Sequence, residues 1–147
     1  MQKLIIIPIL FLLAGCATPA QHYQFDNSIE VKDSYDNTWS RIVEFFARNQ
    51  IQIKNIAKDS GIISAEKASF DQNVADCGSN VFLKPLRQYG LVNVFVKSKN
   101  NIQIVTINTE FRLNAINTIN NQVIERSCNS TGNLERSILT KAGRVEK

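Results

Sequence analysis

The residues able to do chemistry are few. His22 is the only imidazole in the 147-residue chain, and it stands in a polar stretch near the N-terminus. A Ser-His-Asp or Cys-His site needs a base to take the nucleophile's proton, so one histidine outside the folded region argues against both. Zinc wants about four N, S or O ligands, and the supply is three cysteines, Cys16, Cys77 and Cys128. Asp59, Glu66, Asp71, Asp76 and Glu110 show none of the pairing that carboxylate hydrolysis uses, and each reads as a turn or surface residue. The glycines form neither a dinucleotide fingerprint nor a phosphate loop. The expectation is a non-enzymatic protein with no catalytic residue, no metal site and no cofactor. Lys+Arg is 17 against 13 Asp+Glu, a formal charge of +4 spread without a run. A nucleic-acid binder shows a basic stripe, so that class is set aside.

The strongest chemical signal lies at the start. Residues 1–15, MQKLIIIPILFLLAG, put one charge, Lys3, ahead of the apolar run Leu4–Leu13. That run is too short to cross a hydrocarbon core of about 30 Å, which takes about 20 apolar residues, and it has the order of an export signal. Leu13-Ala14-Gly15-Cys16 follows and resembles the lipobox of bacterial lipoprotein signal peptides. The resemblance implies that the Cys16 thiol takes a diacylglyceryl group and that cleavage occurs before it. The modification carries two or three acyl chains, palmitate among them. One chain holds a membrane only marginally, at about 0.8 kcal/mol per buried methylene, whereas two or three hold it stably. Ala17, rather than Asp, comes next. By resemblance to the sorting rule of Gram-negative lipoproteins, this implies the outer membrane, with the protein facing the periplasm. Residues 16–27 then read as a lipidated cysteine and short tether, and 28–147 as one α+β domain.

Export decides the remaining cysteines. In an oxidising compartment paired thiols become disulfides, and Cys77 and Cys128 are 51 positions apart. Closing such a loop removes unfolded-state entropy equivalent to about 4 kcal/mol. No Cys-x-x-Cys spacing points to a redox pair.

The elements that hold these residues follow from periodicity. Ser28–Lys32 alternates as a strand. Asp33-Ser34 offers cap oxygens to a helix of about 14 residues, with Tyr35, Trp39, Ile42, Val43 and Phe46 on its apolar side. Ile51–Ile56 and Ile62–Glu66 form a hairpin around Lys58-Asp59-Ser60-Gly61. Residues 67–90 read as a long loop held by Cys77, with room for short strand character nearby. Leu91–Val96 is a strand, with Val92, Val94 and Val96 on one face and Leu91 and Phe95 on the other. Ile102–Leu113 is the longest strand, and its apolar phase slips between Ile104 and Val105, as a bulge would cause. Residues 114–128 read as a loop or a further hairpin. Leu134, Ile138, Leu139 and Ala142 mark a C-terminal helix with Ser130-Thr131 as capping candidates and Gly143 at its end. One antiparallel sheet with both amphipathic helices on one face buries every stripe.

The stretch Tyr35-Asp36-Asn37-Thr38-Trp39, Ile51-Gln52-Ile53 and Asp59-Ser60-Gly61-Ile62-Ile63 resembles the helix-grip domain of the BamC family. That family is the C subunit of the outer-membrane β-barrel assembly machine. The resemblance covers residues 28–66 and implies a sheet gripping a long helix, in an envelope protein. The expected function is therefore binding, as an accessory of an envelope assembly or secretion complex with an unidentified protein partner. The alternative is a small-ligand or lipid carrier, with Trp39, Phe45, Phe46, Phe95 and Phe111 lining a cavity between helix and sheet.

Overall fold

The computed structural model describes residues 17–144. The leader 1–15 and Cys16 lie outside the described residues. A two-residue strand, β1 (Ala17–Thr18), is followed by extended chain and then β2 (Ser28–Val31). Ser34 stops β2 and starts α1 (Tyr35–Arg48): its backbone is extended, and its hydroxyl accepts the Asn37 N–H at 3.2 Å, satisfying one of the orphan donors of the first turn. Trp39, Ile42 and Phe46 recur at helical spacing and are buried. The hairpin of β3 (Ile51–Ala57) and β4 (Ile62–Lys67) turns at Gly61, with φ +68. A β-carbon there would come within 2.1 Å of the Val96 carbonyl oxygen, so both the backbone and the neighbouring strand demand glycine. Two short strands, β5 (Ala75–Asp76) and β6 (Ser79–Asn80), precede the long pair β7 (Leu83–Lys99) and β8 (Ile102–Asn117). β9 (Val123–Ser130) and α2 (Asn133–Gly143) complete the described chain.

The main sheet is antiparallel, ordered β3-β4-β7-β8-β9-β5. The outer edge of β8 is shared. β2 pairs along Gln103–Thr106 and β9 along Phe111–Ile116. Successive side chains of a strand point to opposite faces, and here one face carries the core. Ile63 and Ala65, Val92, Val94 and Val96, and Val105, Ile107, Phe111, Leu113 and Ala115 are buried with the apolar sides of α1 and α2. The fold class is α+β, as the stripes require.

Several boundaries differ from the sequence reading, each for a physical reason. β7 begins at Leu83 rather than Leu91, so all of 83–90 is strand and not loop. Pro85 is tolerated because β4 stops opposite Gly90, leaving that stretch of β7 without a neighbour on one side, the edge position proline can occupy. The expected bulge at Ile104/Val105 is absent. β8 pairs with β7 in unbroken register from Lys99↔Ile102 to Arg87↔Asn114, and the irregularity falls on β7 between Pro85 and Arg87. The apolar phase slips because a polar residue, Gln103, fills a core-facing position. Its amide donates to the Asp33 carbonyl at 3.2 Å and its oxygen accepts from the Ser98 hydroxyl, so its burial is satisfied. Between the two readings of 114–128, the structure takes the hairpin. α2 is not capped by a hydroxyl as expected: Gly132, at φ +80, occupies the cap without a side-chain bond. The hydroxyls beside it accept backbone N–H groups at the helix start, Ser130 from Gly132 at 3.1 Å and Thr131 from Asn133 at 3.4 Å, and also donate elsewhere. Ser130 donates to the Glu135 carboxylate at 2.7 Å, and Thr131 donates to the backbone carbonyls of Asn73 and Val74.

Residues 17–27 are not the loose tether expected from their composition. Ala17 pairs with Asn80 and Thr18 with Ser79. The Gln21 N–H donates to Asp76 at 2.8 Å, and the Asn129 amide donates to the carbonyls of Ala20 and Gln21. Phe25 lies where a β-carbon on Gly132 would stand, its ring atoms 2.4 Å from that position. Exposed apart from Ala20 and Phe25, the segment is nevertheless strapped to the domain by its backbone. Composition misled because backbone pairing needs no apolar side chain.

Candidate functional site

The cysteines and the strap form one arrangement. The sulfur atoms of Cys77 and Cys128 lie at bonding distance, 1.97 Å, with Cα atoms 4.1 Å apart. Cys128 sits in β9 opposite Phe111, so the bridge fastens the segment carrying β5 and β6 to the sheet. Asp76 accepts the N–H groups of Gln21 and Gly78, which hold its carboxyl below the usual range. Gly78, at φ +66, has the Thr18 carbonyl oxygen 2.3 Å from where its β-carbon would be. No substituent fits between the strap and the bridged segment.

The carboxylates singled out in the sequence do not converge. Asp59 lies in the β3–β4 turn, and Asp71 accepts the Asn73 N–H at 3.0 Å in a turn of its own. Glu66 pairs with Arg87 at 2.8 Å and Lys54 at 3.5 Å, while Glu110 pairs with Arg112. His22 is exposed on the strap. Among the described residues, no group of three or more His, Cys, Asp or Glu is placed to hold a metal ion. Sequence reasoning missed Glu135, which is 1% exposed in the first turn of α2 and accepts from Thr109 and Ser130. Its helical spacing with Leu134 and Ile138 was legible, but a carboxylate on that side was not expected inside. Arg41 is likewise buried. Its Nε donates to the Ala142 carbonyl at 3.0 Å and its Nη1 to Asp33 at 2.6 Å. With help from Asn37 and the Ser34 N–H, this guanidinium holds the Asp33 carboxyl down at about 2.

The five aromatics proposed to line a cavity are divided by the sheet. Trp39 stacks on Tyr35 with centroids 5.7 Å apart, Phe46 and Phe111 are buried in the core, and Phe45 packs against it. Phe95 lies on the opposite face, 40% exposed. The alternation around Val94 already gave that direction.

That opposite face is the candidate site, since neither helix covers it. The register aligns its side chains in rows across the strands. Ile62 lies beside Phe95 and Phe95 beside Thr106; in the next row stand Ser64, Asn93 and Asn108. Ser64 and Asn93 are hydrogen-bonded at 2.8 Å, and the Asn27 amide donates to Asn108 at 3.2 Å. Leu91, 37% exposed, stands beyond this polar row between Glu66 and Glu110, and Ile104 flanks Thr106 on β8. A charged border follows. The Arg87 guanidinium lies 4.9 Å above the Tyr89 ring, and the Tyr89 hydroxyl donates to Glu125 at 3.0 Å, which pushes its pKa up. Arg112 bridges Glu110 and Glu125, and hydrogen bonding to Glu110 holds its proton more tightly. Such a surface can bury apolar area and trade amide hydrogen bonds, inside a rim whose charges are already paired. Compared with known proteins, the chain matches no family model and no curated protein.

Proposed function

We propose that the chain is a lipid-anchored outer-membrane protein facing the periplasm. In this reading it binds a protein partner of an envelope assembly or secretion complex through the bare face of its sheet. The observation that carries the reading is the sheet's asymmetry. One face is sealed by α1 and α2, and the other leaves Phe95 and Leu91 exposed on either side of a row of amide side chains, with Glu66 and Glu110 flanking Leu91. An apolar patch rimmed by polar residues is the usual mark of an interaction surface. The finer resemblance, a helix-grip domain of the BamC kind, supports the same habitat through residues 28–66, where a tryptophan-bearing helix runs into a glycine-turned hairpin. The carrier alternative loses support, since Phe95 stands across the sheet from the other four aromatics.

A photo-crosslinking residue at position 95 in intact cells tests the reading. The expected result is a discrete protein adduct that Leu91→Glu abolishes while the protein stays at its normal level. No adduct from position 95, or one indifferent to Leu91→Glu, refutes the role of this face.

A further inference from the structure

The end of the sheet where the chain enters the fold is the most apolar exposed region of the described residues. β7 and β8 run on past β4, and the turn from β8 to β9 closes over them. There Val81 is 66% exposed, Phe82 50%, Leu86 52%, Ile119 71% and Val123 65%. They are neighbours through the backbone. The Phe82 carbonyl accepts from the Thr118 N–H at 2.8 Å, and Val123 pairs with Ile116, which pairs with Lys84. The surrounding chain is chemically uniform. Residues 77–87 and 113–124 contain no Asp or Glu, and their only charges are Lys84 and Arg87; the rest are small, apolar or amide side chains. Ala17 joins this end directly, since it pairs with Asn80, the residue before Val81. Position 16 is one Cα step, about 3.8 Å, further along.

We propose that this tip seats in the lipid surface beside the anchor, so that the protein meets the bilayer at two points. The inference rests on the anchor reading for where the membrane lies. Acyl chains on Cys16 would enter the bilayer beside Val81 and Phe82. An apolar end without carboxylates then enters the interfacial layer without burying an unpaired anion. A phenyl ring can sink into the boundary between headgroups and acyl chains, and Lys84 faces anionic headgroups, while Arg87 is already paired with Glu66. A partner protein or a second copy would bury the same side chains, but neither explains why the tip coincides with the point where the chain leaves for position 16. The consequence is orientation. β7 spans 17 residues, about 50 Å at ~3.3 Å per residue, so its far end at Lys99 stands well clear of the lipid, with the sheet upright and its bare face turned sideways.

The test uses the full-length protein reconstituted in phosphatidylethanolamine–phosphatidylglycerol vesicles with brominated acyl chains, which quench indoles at acyl depth. Three variants are compared: Phe82→Trp, Ile119→Trp and, at the far end, Lys99→Trp. Trp39, 5% exposed in the core, gives all three the same background. The expected result is loss of more than half of the added emission for F82W and I119W, and under a tenth for K99W. No quenching of the tip variants, while the protein floats with the vesicles and its intact mass shows acyl chains, overturns the inference and leaves the anchor standing. An intact mass without acyl chains overturns the anchor instead. The same quenching then decides the tip in the unanchored protein, in either direction. A dimer that Ile119→Asp dissolves, with no quenching, also overturns it.

Discussion

Gly90 and Phe111 face each other across β7 and β8, and the phenyl ring lies over the glycine. A β-carbon at position 90 would stand 2.5 Å from one ring carbon and 2.7 Å from the next. The ring has nowhere to retreat, because it is 1% exposed and meets Phe70 edge-on with centroids 5.0 Å apart. Cys128 is its neighbour on the β9 side. Gly90→Ala therefore overpacks the core and costs about 1–3 kcal/mol. Phe111→Ala empties the same place and costs about 3–5 kcal/mol. If the two acted independently, the double variant would lose roughly 4–8 kcal/mol. The geometry predicts otherwise. With the ring gone the alanine methyl meets open space and partly fills it, and alanine in a strand gains about 0.5–1 kcal/mol over glycine in backbone entropy. The double variant should thus match Phe111→Ala or exceed it in stability, giving a coupling of about 2 kcal/mol or more. Urea unfolding with the disulfide intact measures it. Thermal unfolding should move in parallel, by roughly 4 °C per kcal/mol for a domain of this size. Additive losses would refute the argument, because they would mean that the ring does not occupy the space above Gly90.

Trp39→Ala should cost about 3–5 kcal/mol, since the indole is 5% exposed and stacked on Tyr35; near-wild-type unfolding would remove it from the core. Replacing Cys77 and Cys128 by serine should lower stability by about 4 kcal/mol, from the loop of 51 positions they close, and equal midpoints for oxidised wild type and the double variant would contradict this. Asp33 has its carboxyl lowered from 3.8 to about 2 by Arg41. A lowered folded-state value stabilises above the unfolded pKa and is lost as pH falls through the folded one. Wild type should therefore exceed Asp33→Asn in urea midpoint above about pH 4 and converge with it near pH 2, and a constant gap would exclude the ion pair as the cause. Cys16→Ala should leave the protein unacylated and outside the outer-membrane fraction with its unfolding midpoint unchanged, as intact mass and fractionation would show.

The parts of the fold set by local periodicity were legible. α1 was readable because Trp39, Ile42 and Phe46 repeat at helical spacing behind a serine cap, and the β3–β4 hairpin because Gly61 marks its turn. The two faces of β7 were readable from Val92, Val94 and Val96 against Leu91 and Phe95. What failed was whatever depends on a distant partner. The phase slip between Ile104 and Val105 read as a bulge because the burial of Gln103 depends on Asp33 and Ser98, which only the fold brings near. Residues 83–90 looked like loop because Pro85 was read without knowing that β4 ends at Lys67. The candidate site was half legible: alternation gave the direction of Phe95, but whether that face is covered depends on where both helices pack.

The strap shows most clearly why composition was insufficient. Its backbone partners are Asp76, Ser79, Asn80 and Asn129, and these flank Cys77 on one side of the bridge and Cys128 on the other. β5 and β6 are two residues each and could not hold a position alone, since a short isolated strand pair is marginal in water. The bridge, together with the pairing of β5 on β9, holds them where Asp76 and the left-handed Gly78 present a surface for 17–21. The cysteine pair is thus one of the contacts on which the docking of the N-terminal segment depends. With Ala17 held opposite Asn80, the described chain begins beside Val81 and Phe82 rather than at the end of a free tether. The same eleven residues that read as a spacer therefore belong to the folded domain through their backbone.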